Sequence, residues 1–245
     1  MPPIIYYTLA FAFAGGIGMA VANRKATAEV RKQRWLKYSM YILITGTVIA
    51  SIELHFFTWV AWTIVALALV EMIKVSLPRI HDRRRVIVVA FIIFIILVTG
   101  FLLYAYKFPA AFLLYIYFQV LVFDAFCQVT GQLWGKIPLW PSVSPAKTRG
   151  GLIGGWVFCI LAAGLTNYHD NETLFFPIYT GLIYGTLTAI FSFCGDMAAS
   201  FYKRKMQVKD YSNWLPGQGG FLDRFDSLLC AGCFYFIFYM LIFSQ

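Results

Sequence analysis

Long apolar runs separated by short polar connectors make up most of the chain. A helix needs about 20 mostly apolar residues to cross the hydrocarbon core of a bilayer. Runs of this kind predict about eight spans, of which the second and sixth are short. They cover residues 4–22, 36–51, 56–75, 86–105, 110–134, 152–166, 175–202 and 221–243. The pattern therefore predicts an all-α, polytopic integral membrane protein with about eight transmembrane helices.

Basic residues are concentrated in every second connector. Of the 20 Lys and Arg residues, all except Lys107 lie in the stretches 24–37, 74–85, 136–149 and 203–224. The connectors between these stretches carry the acidic residues Glu53, Asp170 and Glu172. Because Lys and Arg are enriched in cytoplasmic loops, the four basic connectors are predicted to be cytoplasmic and both termini outside. This alternation requires an even number of spans, which agrees with eight.

The composition supports the membrane interpretation. Hydrophobic residues make up 60% of the chain and charged residues 13%, whereas a soluble domain has about 45–50% and about 25%. A soluble domain and a disordered chain are therefore excluded. The five cysteines all fall within predicted spans, which excludes a secreted disulfide scaffold. A net charge of +9 would suggest nucleic acid for a soluble protein, but here much of it orients the helices, and we expect no nucleic-acid partner.

Acidic residues inside apolar spans are costly and therefore indicate function. Four of them lie in the C-terminal half, near the predicted cytoplasmic side: Asp124, Asp196, Asp223 and Asp226. The remaining one, Glu71, precedes Lys74 by three residues at the end of a span. For Glu71 the spacing favours a simple interpretation, an ion pair with Lys74 or snorkelling to the interface.

The densest polar segment runs from residue 195 to residue 227. Asp196, Ser200 and Lys203 are spaced i, i+4, i+7 and share one helix face. A basic run, a glycine-rich turn and two carboxylates follow: Arg204, Lys209, Gly217, Gln218, Gly219, Gly220, Asp223, Arg224 and Asp226. Carboxylates bind hard cations, while bases and backbone amides neutralise phosphates, so the segment predicts a site for a metal–triphosphate complex. The alternative is that the basic run is a topological anchor and the Asp–Arg pairs are structural.

A second polar stretch precedes the sixth span. Ser144, Lys147 and Thr148 belong to a Ser-Pro-x-Lys-Thr sequence on a predicted cytoplasmic loop, where we expect a second anion contact. Glycines flank this stretch at positions 131, 135, 150, 151, 154 and 155. Taken alone, these glycines are as consistent with helix packing as with a phosphate-binding loop.

The sequence from Ser200 to Ser227 resembles the signature of the phosphatidate cytidylyltransferases, also called CDP-diacylglycerol synthases. The matching positions include Lys203-Arg204, Lys209-Asp210, the turn 216–220 and Asp223-Arg224-Phe-Asp226-Ser227. The Ser-Pro-x-Lys-Thr sequence at 144–148 and the spacing of Asp124, Gly131 and Gly135-Lys136 are also similar to the family's. The resemblance covers roughly residues 124–227, so we divide the chain into N-terminal membrane helices (1–109) and a C-terminal catalytic membrane region (110–245).

This resemblance implies that a lipid phosphate oxygen attacks the α-phosphorus of CTP, which releases pyrophosphate and forms a CDP-lipid. It also implies Mg²⁺, assisted by K⁺, with Asp196, Asp223, Asp226 and Asp124 as metal ligands. The implied catalytic residues are Asp196, Asp223, Lys203, Arg204, Lys209 and Arg224. The implied substrate-binding residues are Ser144, Lys147, Thr148, Ser200, Gly217, Gln218, Gly219 and Gly220.

The implied partners are CTP and a phosphorylated membrane lipid, at the cytoplasmic face of the bacterial inner membrane. A homodimer is a further expectation that comes from the family alone. Three alternatives remain: a CTP-dependent lipid or polyprenol kinase, an inactive lipid-binding paralogue and a transporter. Transporters commonly have broken helices in both halves, whereas the polar residues here are concentrated in one half.

Three positions depart from the family's pattern. Gln218 stands where the family has a His in its glycine turn, and a Gln cannot carry a proton. Arg149-Gly150 replaces a Trp-Glu pair, and Ala146 replaces a Lys. Because the carboxylates and the other lysines are retained, we expect the use of CTP and metal to be kept. The lipid acceptor is then phosphatidate or a related phosphorylated lipid.

Overall fold

The computed structural model describes residues 3–24, 27–169 and 178–243. Its helices are α1 (Pro3–Ala22), α2 (Ala28–Glu53), α3 (Phe57–Ser76), α4 (Ile80–Lys107), α5 (Ala110–Trp134), α6 (Arg149–His169), α7 (Ile178–Lys205) and α8 (Leu222–Phe243). A 3₁₀ turn, Leu77–Arg79, joins α3 to α4, and an antiparallel hairpin of β1 (Pro138–Trp140) and β2 (Ser144–Thr148) joins α5 to α6. The connector residues Lys25, Asp170 and Glu172 lie outside the described residues.

The helices lie where the apolar runs predicted spans, and α5 matches its prediction residue for residue. The predicted all-α class is therefore confirmed, with the short hairpin as an addition. Local sequence explains where α4 ends and α5 begins. Phe108 is extended (φ −90°, ψ 145°) because it precedes Pro109, and a residue before proline disfavours the helical conformation. The Pro109 carbonyl then accepts the N–H groups of Phe112 and Leu113 at 3.0 and 3.1 Å, which starts α5.

Six segments of the described chain are long and apolar enough to cross a membrane. The longest, Phe57–Lys107, contains α3 and α4 and folds back on itself. Thr58 near its start donates a hydrogen bond to the carbonyl of Ala105 near its end, at 3.2 Å. Large apolar side chains point outward, with Phe13 73% exposed and Trp59 75% exposed. Such a surface is suited to hydrocarbon and not to water, so the chain is an integral membrane protein.

Helix α5 lies at the centre of the bundle. It packs against α1, α2, α6, α7 and α8, while α4 packs against α3 and α8. Side chains from α3, α4, α5 and α8 share one buried core cluster, which includes Ala61, Phe101, Ile116 and Ala231. Helices on both sides of residue 109 therefore contribute to one core, although the division at that residue stays a prediction.

Small residues allow α5 and α6 to approach closely. A Cβ atom built on Gly155 would lie 3.0 Å from the carbonyl oxygen of Phe123 and 3.1 Å from the backbone nitrogen of Cys127. Gly151 and Gly154 of α6 face the same helix, against Cys127 and Thr130. Of the two interpretations of these glycines, the structure therefore favours helix packing, in which small residues bring two backbones together.

The predicted cytoplasmic connectors meet at one end of the bundle. From the loop between α7 and α8, Gln218 Nε2 donates to the carbonyl of Lys37 at 2.6 Å. At the end of α7, Arg204 Nε donates to the carbonyl of Val143, between the two strands, at 3.0 Å. The connector between α7 and α8 thus contacts other basic connectors, as expected for helices that alternate in direction.

We expect Gly155→Ala to lower the stability of the protein in detergent. The added methyl overpacks the α5–α6 contact, which typically costs about 1–3 kcal/mol. A matched control is Gly164→Ala in the same helix, because a Cβ there meets nothing within 4 Å. Thermal unfolding followed by size-exclusion chromatography should show a lower apparent Tm for Gly155→Ala only. Equal apparent Tm values for the two variants would contradict close packing at Gly155.

Candidate active site

A polar cavity of about 460 Å³ opens at the end of the bundle where the basic connectors meet. Its walls come from α5, the β-hairpin, α6, α7, the following loop and the start of α8. Nine of the predicted site residues line it: Asp124, Ser144, Lys147, Thr148, Asp196, Lys203, Asp223, Arg224 and Asp226. The fold therefore brings the two polar stretches of the sequence to one place.

Lys203 and Asp223 form a buried ion pair in the wall of this cavity. Their side chains are 10% and 4% exposed, and Lys203 Nζ lies 2.5 Å from Asp223 Oδ1. The other carboxylate oxygen, Oδ2, accepts the backbone N–H groups of Tyr211 and Gly220, each at 2.9 Å. Asp223 thus holds the lysine and the loop between α7 and α8 at the same time. Burial raises the pKa of the Tyr211 phenol well above its usual value, so this ring stays neutral beside Lys203.

A second ion pair joins the hairpin to α7. Lys147 of β2 pairs with Asp196, and Ser200 donates a hydrogen bond to Asp196 Oδ1 at 3.4 Å. The predicted shared face of Asp196 and Ser200 is therefore confirmed. Thr148 serves the neighbouring helix, because its hydroxyl accepts the N–H group of Gly151 at 3.1 Å and caps the first turn of α6.

Asp124 of α5 and Asp226 of α8 face the cavity together. Ser227 links them, since its N–H group donates to Asp226 Oδ1 at 2.8 Å and its hydroxyl donates to Asp124 Oδ1 at 3.4 Å. Three helices, α5, α7 and α8, therefore each present a carboxylate to one space, with Asp196 as the third.

The lining of the cavity is acidic although the protein as a whole is basic. Five carboxylates line it against three cationic side chains, which are Lys147, Lys203 and Arg224. A polyphosphate would be repelled by this excess unless a cation entered with it. Carboxylate oxygens suit Mg²⁺, which commonly takes one or two of them together with water and phosphate oxygens. Although five carboxylates line the cavity, no three His, Cys, Asp or Glu side chains among the described residues are grouped closely enough to hold a metal ion by themselves. The donors therefore fit a cation carried in with phosphate better than a closed protein cage.

The other seven predicted residues lie outside the lining: Ser200, Arg204, Lys209, Gly217, Gln218, Gly219 and Gly220. Arg204 donates to two carbonyls, those of Val143 at 3.0 Å and Val208 at 3.1 Å, and so ties the hairpin to the end of α7. Lys209 is exposed. The assignment of these residues to catalysis or substrate binding stays a prediction.

The glycine turn at 216–220 contacts Asp223 through a backbone hydrogen bond. Gly217 and Gly219 have positive φ angles, 73° and 85°, a conformation that only glycine adopts without strain. The N–H group of Leu215 donates to the carbonyl of Gly219 at 3.0 Å and closes the turn. Gly220 follows and donates its N–H group to Asp223. In this structure the last amide of the turn therefore binds a carboxylate of the protein.

The surroundings of Glu71 differ from the ion pair or snorkelling that was predicted from the sequence. Its side chain is fully buried, and Lys74 instead lies over the ring of Trp214, 4.4 Å from the centroid. Glu71 Oε1 accepts the Ser212 hydroxyl at 2.5 Å and the N–H group of Phe221 at 2.9 Å. Oε2 accepts the N–H group of Leu222 at 2.8 Å. The expected ion pair or snorkelling is therefore wrong, because Glu71 caps the N-terminus of α8.

The lining also includes residues that were not predicted for the site, among them the polar residues Gln128, Asp210 and Ser227. Asp210 and Ser227 belong to the motif that carries the family resemblance, so membership of the motif is the signal that could have found them. Gln128 lies one helical turn after Asp124, and the i, i+4 spacing is the signal that could have found it. Glu71 lies far from the motif in sequence, and nothing nearby indicates its partner.

The fold and the cavity define a class: a polytopic helical membrane protein with an acidic, lysine-containing cavity at one end of its bundle. The family model described as the cytidylyltransferase family matches residues 5–242, and the chain belongs to this family. The predicted family is therefore confirmed.

Three relatives match the chain over about half of its length. The phosphatidate cytidylyltransferase of Haemophilus influenzae is 37% identical over 132 residues, which is 53% of this chain and 46% of that protein. The protein of the same name from Aquifex aeolicus is 38% identical over 127 residues (51% and 46%). The one from Staphylococcus haemolyticus is 36% identical over 118 residues (48% and 45%). Each match thus covers less than half the length of the relative.

We expect Glu71→Ala to destabilise the protein. The substitution leaves the half-buried N–H group of Phe221 and the buried one of Leu222 without acceptors, and loss of the acceptor of a buried donor costs about 1–3 kcal/mol. Glu29→Ala is the matched control, because Glu29 is exposed in the first turn of α2. The apparent Tm in detergent should fall for Glu71→Ala and stay within error for Glu29→Ala. An unchanged Tm for Glu71→Ala would show that α8 keeps its start without this cap.

Proposed function

We propose that the protein transfers the cytidylyl group of CTP to a phosphorylated membrane lipid. The observation that carries this proposal is the acidic cavity at the basic end of the bundle, in which the Lys147–Asp196 and Lys203–Asp223 pairs face Asp124 and Asp226. Membership of the cytidylyltransferase family supports it, as do relatives named phosphatidate cytidylyltransferase.

In the proposed reaction an oxygen of the lipid phosphate attacks the α-phosphorus of CTP. The bond between the α-phosphorus and the bridging oxygen to the β-phosphorus breaks, and pyrophosphate leaves with that electron pair. The products are a CDP-lipid and pyrophosphate. Two anions must approach each other, so neutralising and orienting them is the main task of the protein.

Each charged group of the cavity has a role in this proposal. Lys203, held by Asp223, and Lys147, held by Asp196, present ammonium groups to the phosphates, and Arg224 adds a guanidinium at the start of α8. Ser144 and Thr148 help to position a phosphate from the hairpin side. Ser200, Arg204 and Gly220 also order the residues that face the cavity. Substrate contacts of Ser200, Arg204, Lys209 and the turn 217–220 remain part of the proposal.

Asp124, Asp196, Asp223 and Asp226 would hold Mg²⁺, with K⁺ as an accompanying cation. When bound, such a cation neutralises phosphate charge and increases the electrophilicity of the α-phosphorus. Asp223 already accepts hydrogen bonds on both oxygens. We therefore expect the protein's ligands to come from one or two of Asp124, Asp196 and Asp226, with phosphate oxygens and water as the other ligands.

We further propose eight spans with both termini outside and the cavity at the cytoplasmic face of the bacterial inner membrane. The meeting of the basic connectors at one end of the bundle supports this orientation. It also gives a water-soluble nucleotide and a membrane-held lipid access to the same cavity. The proposal includes no nucleic-acid partner, and a homodimer remains an expectation from the family.

Incubation of the purified protein with CTP, Mg²⁺ and a panel of phosphorylated lipids tests the reaction. We expect mass spectrometry to detect a CDP-lipid and pyrophosphate, and chelation of Mg²⁺ to stop their formation. Release of CDP with a newly phosphorylated lipid, when lipid alcohols are supplied, would identify a CTP-dependent lipid kinase instead. Binding of lipid without any turnover would identify an inactive paralogue.

We expect Lys203→Gln to lower kcat/KM for CTP by about 10²–10³-fold, because it removes a fixed cation from the charge that develops in transfer. Lys205→Gln is the matched control, since Lys205 lies over the ring of Phe201, outside the cavity lining. It should retain activity within about twofold. Lys203→Arg, which keeps the charge, should retain more activity than Lys203→Gln. Equal activity of Lys203→Gln and Lys205→Gln, with both proteins monodisperse, would remove Lys203 from the site.

A further inference from the structure

A second cavity, of about 430 Å³, lies beside the polar one and differs from it in chemistry. One wall is formed by α4, with Val86, Val89, Ala90, Ile93 and Leu97 among its residues. The facing walls come from α7 and α8, through residues such as Ala198 and Leu229. We call this space the apolar groove.

The depth of the apolar groove matches one leaflet of a bilayer. Its lining on α4 extends from Arg85 to Leu97, which at about 1.5 Å per residue is about 18 Å. Half the thickness of the hydrocarbon core is about 15 Å. Arg85 lies in the second turn of α4 and ends the basic stretch 74–85, so the groove starts at the same end of the bundle as the polar cavity and runs into the membrane from there.

Two charged side chains interrupt the apolar lining. Arg85 lies at the connector end, and Asp226 lies in the wall formed by α8. The two phenol hydroxyls are engaged elsewhere, because that of Tyr202 bonds to the Ser76 hydroxyl at 2.5 Å and that of Tyr211 donates to the Ala199 carbonyl at 3.4 Å. Apart from Arg85 and Asp226, the lining of the groove is therefore hydrocarbon-like.

Asp226 connects the two cavities. It lines the polar cavity and also the apolar groove. Beside Asp226, α7 approaches α8 so closely that a Cβ on Gly195 would lie 2.6 Å from Cys230 Cβ. A molecule with a hydrocarbon chain in the groove thus has its polar end within reach of the carboxylate that the polar cavity also uses.

We propose that the apolar groove binds one hydrocarbon chain of the phosphorylated-lipid substrate and that Arg85 binds its phosphate as it approaches Asp226. This inference rests on the proposed function, because it assigns the lipid acceptor of the same reaction to a site. The groove has a cationic side chain at its opening and an apolar lining about one leaflet deep. It is therefore complementary to a membrane lipid that has an anionic headgroup and a hydrocarbon chain. An ordinary bilayer lipid that fills the groove for structural reasons is the competing occupant.

Ala90→Trp tests the groove, because the indole fills the space between α4 and α7. We expect this variant to raise KM about tenfold or more for a lipid phosphate with 16-carbon chains. For a lipid phosphate with six-carbon chains, KM should change less than about twofold, and KM for CTP should stay the same. Ile92→Trp on the same helix is the matched control, because Ile92 is 54% exposed and lies outside the groove. Equal effects on both chain lengths, or on both variants, would overturn the proposal.

Arg85→Gln tests the mouth of the groove. It should raise KM for both chain lengths alike, whereas Arg84→Gln, in the same connector but outside the groove lining, should not. An unchanged KM for Arg85→Gln would show that Arg85 does not bind the lipid phosphate.

A binding measurement separates this inference from the proposed reaction. A lipid phosphate carrying a diazirine in its chain is cross-linked by light to the full-length protein in nanodiscs, and the labelled peptides are identified by mass spectrometry. We expect labels on residues 85–97 of α4 and 195–202 of α7, competed by unlabelled lipid phosphate and reduced in Ala90→Trp. Labels elsewhere, or equal competition by a lipid without a phosphomonoester, would contradict the groove as a substrate site. Labels on these two segments without any CDP-lipid formation would contradict the proposed reaction but still support lipid binding in the groove.

Discussion

Two carboxylates hold the start of α8, and both cavities depend on them. Glu71 of α3 accepts the first N–H groups of the helix, while Asp223 of the first turn accepts the N–H groups of the preceding loop and pairs with Lys203. N–H groups at a helix N-terminus have no partner within the helix and carry partial positive charge. Hydrocarbon cannot supply acceptors, so the protein must do so. The residues that meet this requirement also set the position of Lys203 and Asp226.

The charged residues fall into two groups, those that orient the helices in the membrane and those that line the polar cavity. The protein carries a net charge of +9, yet the polar cavity is lined by more carboxylates than bases. The basic connectors of the N-terminal half need no role beyond orienting helices, apart from Arg85 at the mouth of the apolar groove. Inside the polar cavity, each lysine is paired with an aspartate. Such pairing fixes the ammonium groups and leaves the remaining carboxylates to attract a cation, which is the arrangement that a nucleotide–metal complex requires.

The proposed reaction joins a water-soluble molecule to a lipid, and the fold separates their environments. The polar cavity opens among the connectors, whereas the apolar groove runs along α4, α7 and α8. Asp226 lines both spaces, and beside it α7 and α8 touch through Gly195. Helix α4 of the N-terminal half therefore lines the apolar groove, although the family motif lies entirely in the C-terminal half.

Much of the candidate site could be predicted from the sequence. The motif positions Lys203, Asp223 and Asp226 and the upstream Lys147 were predicted together, and they line one cavity. Ser200 and Arg204 were predicted beside them and lie just outside it, because motif membership does not reveal which way a side chain points. Glu71 was misinterpreted, since its partners Phe221 and Leu222 lie about 150 positions away in the chain.

The sequence by itself determined which segments are helical and apolar, because the free energy of placing a segment in hydrocarbon is set by its own composition and its own backbone hydrogen bonds. It also determined which end of the bundle carries the basic connectors. Only the tertiary structure decided that Glu71 caps α8, that the glycines near position 150 pack against α5, and that Asp226 is shared by two cavities. These contacts join residues that are distant in the chain, and such pairings depend on how whole helices pack.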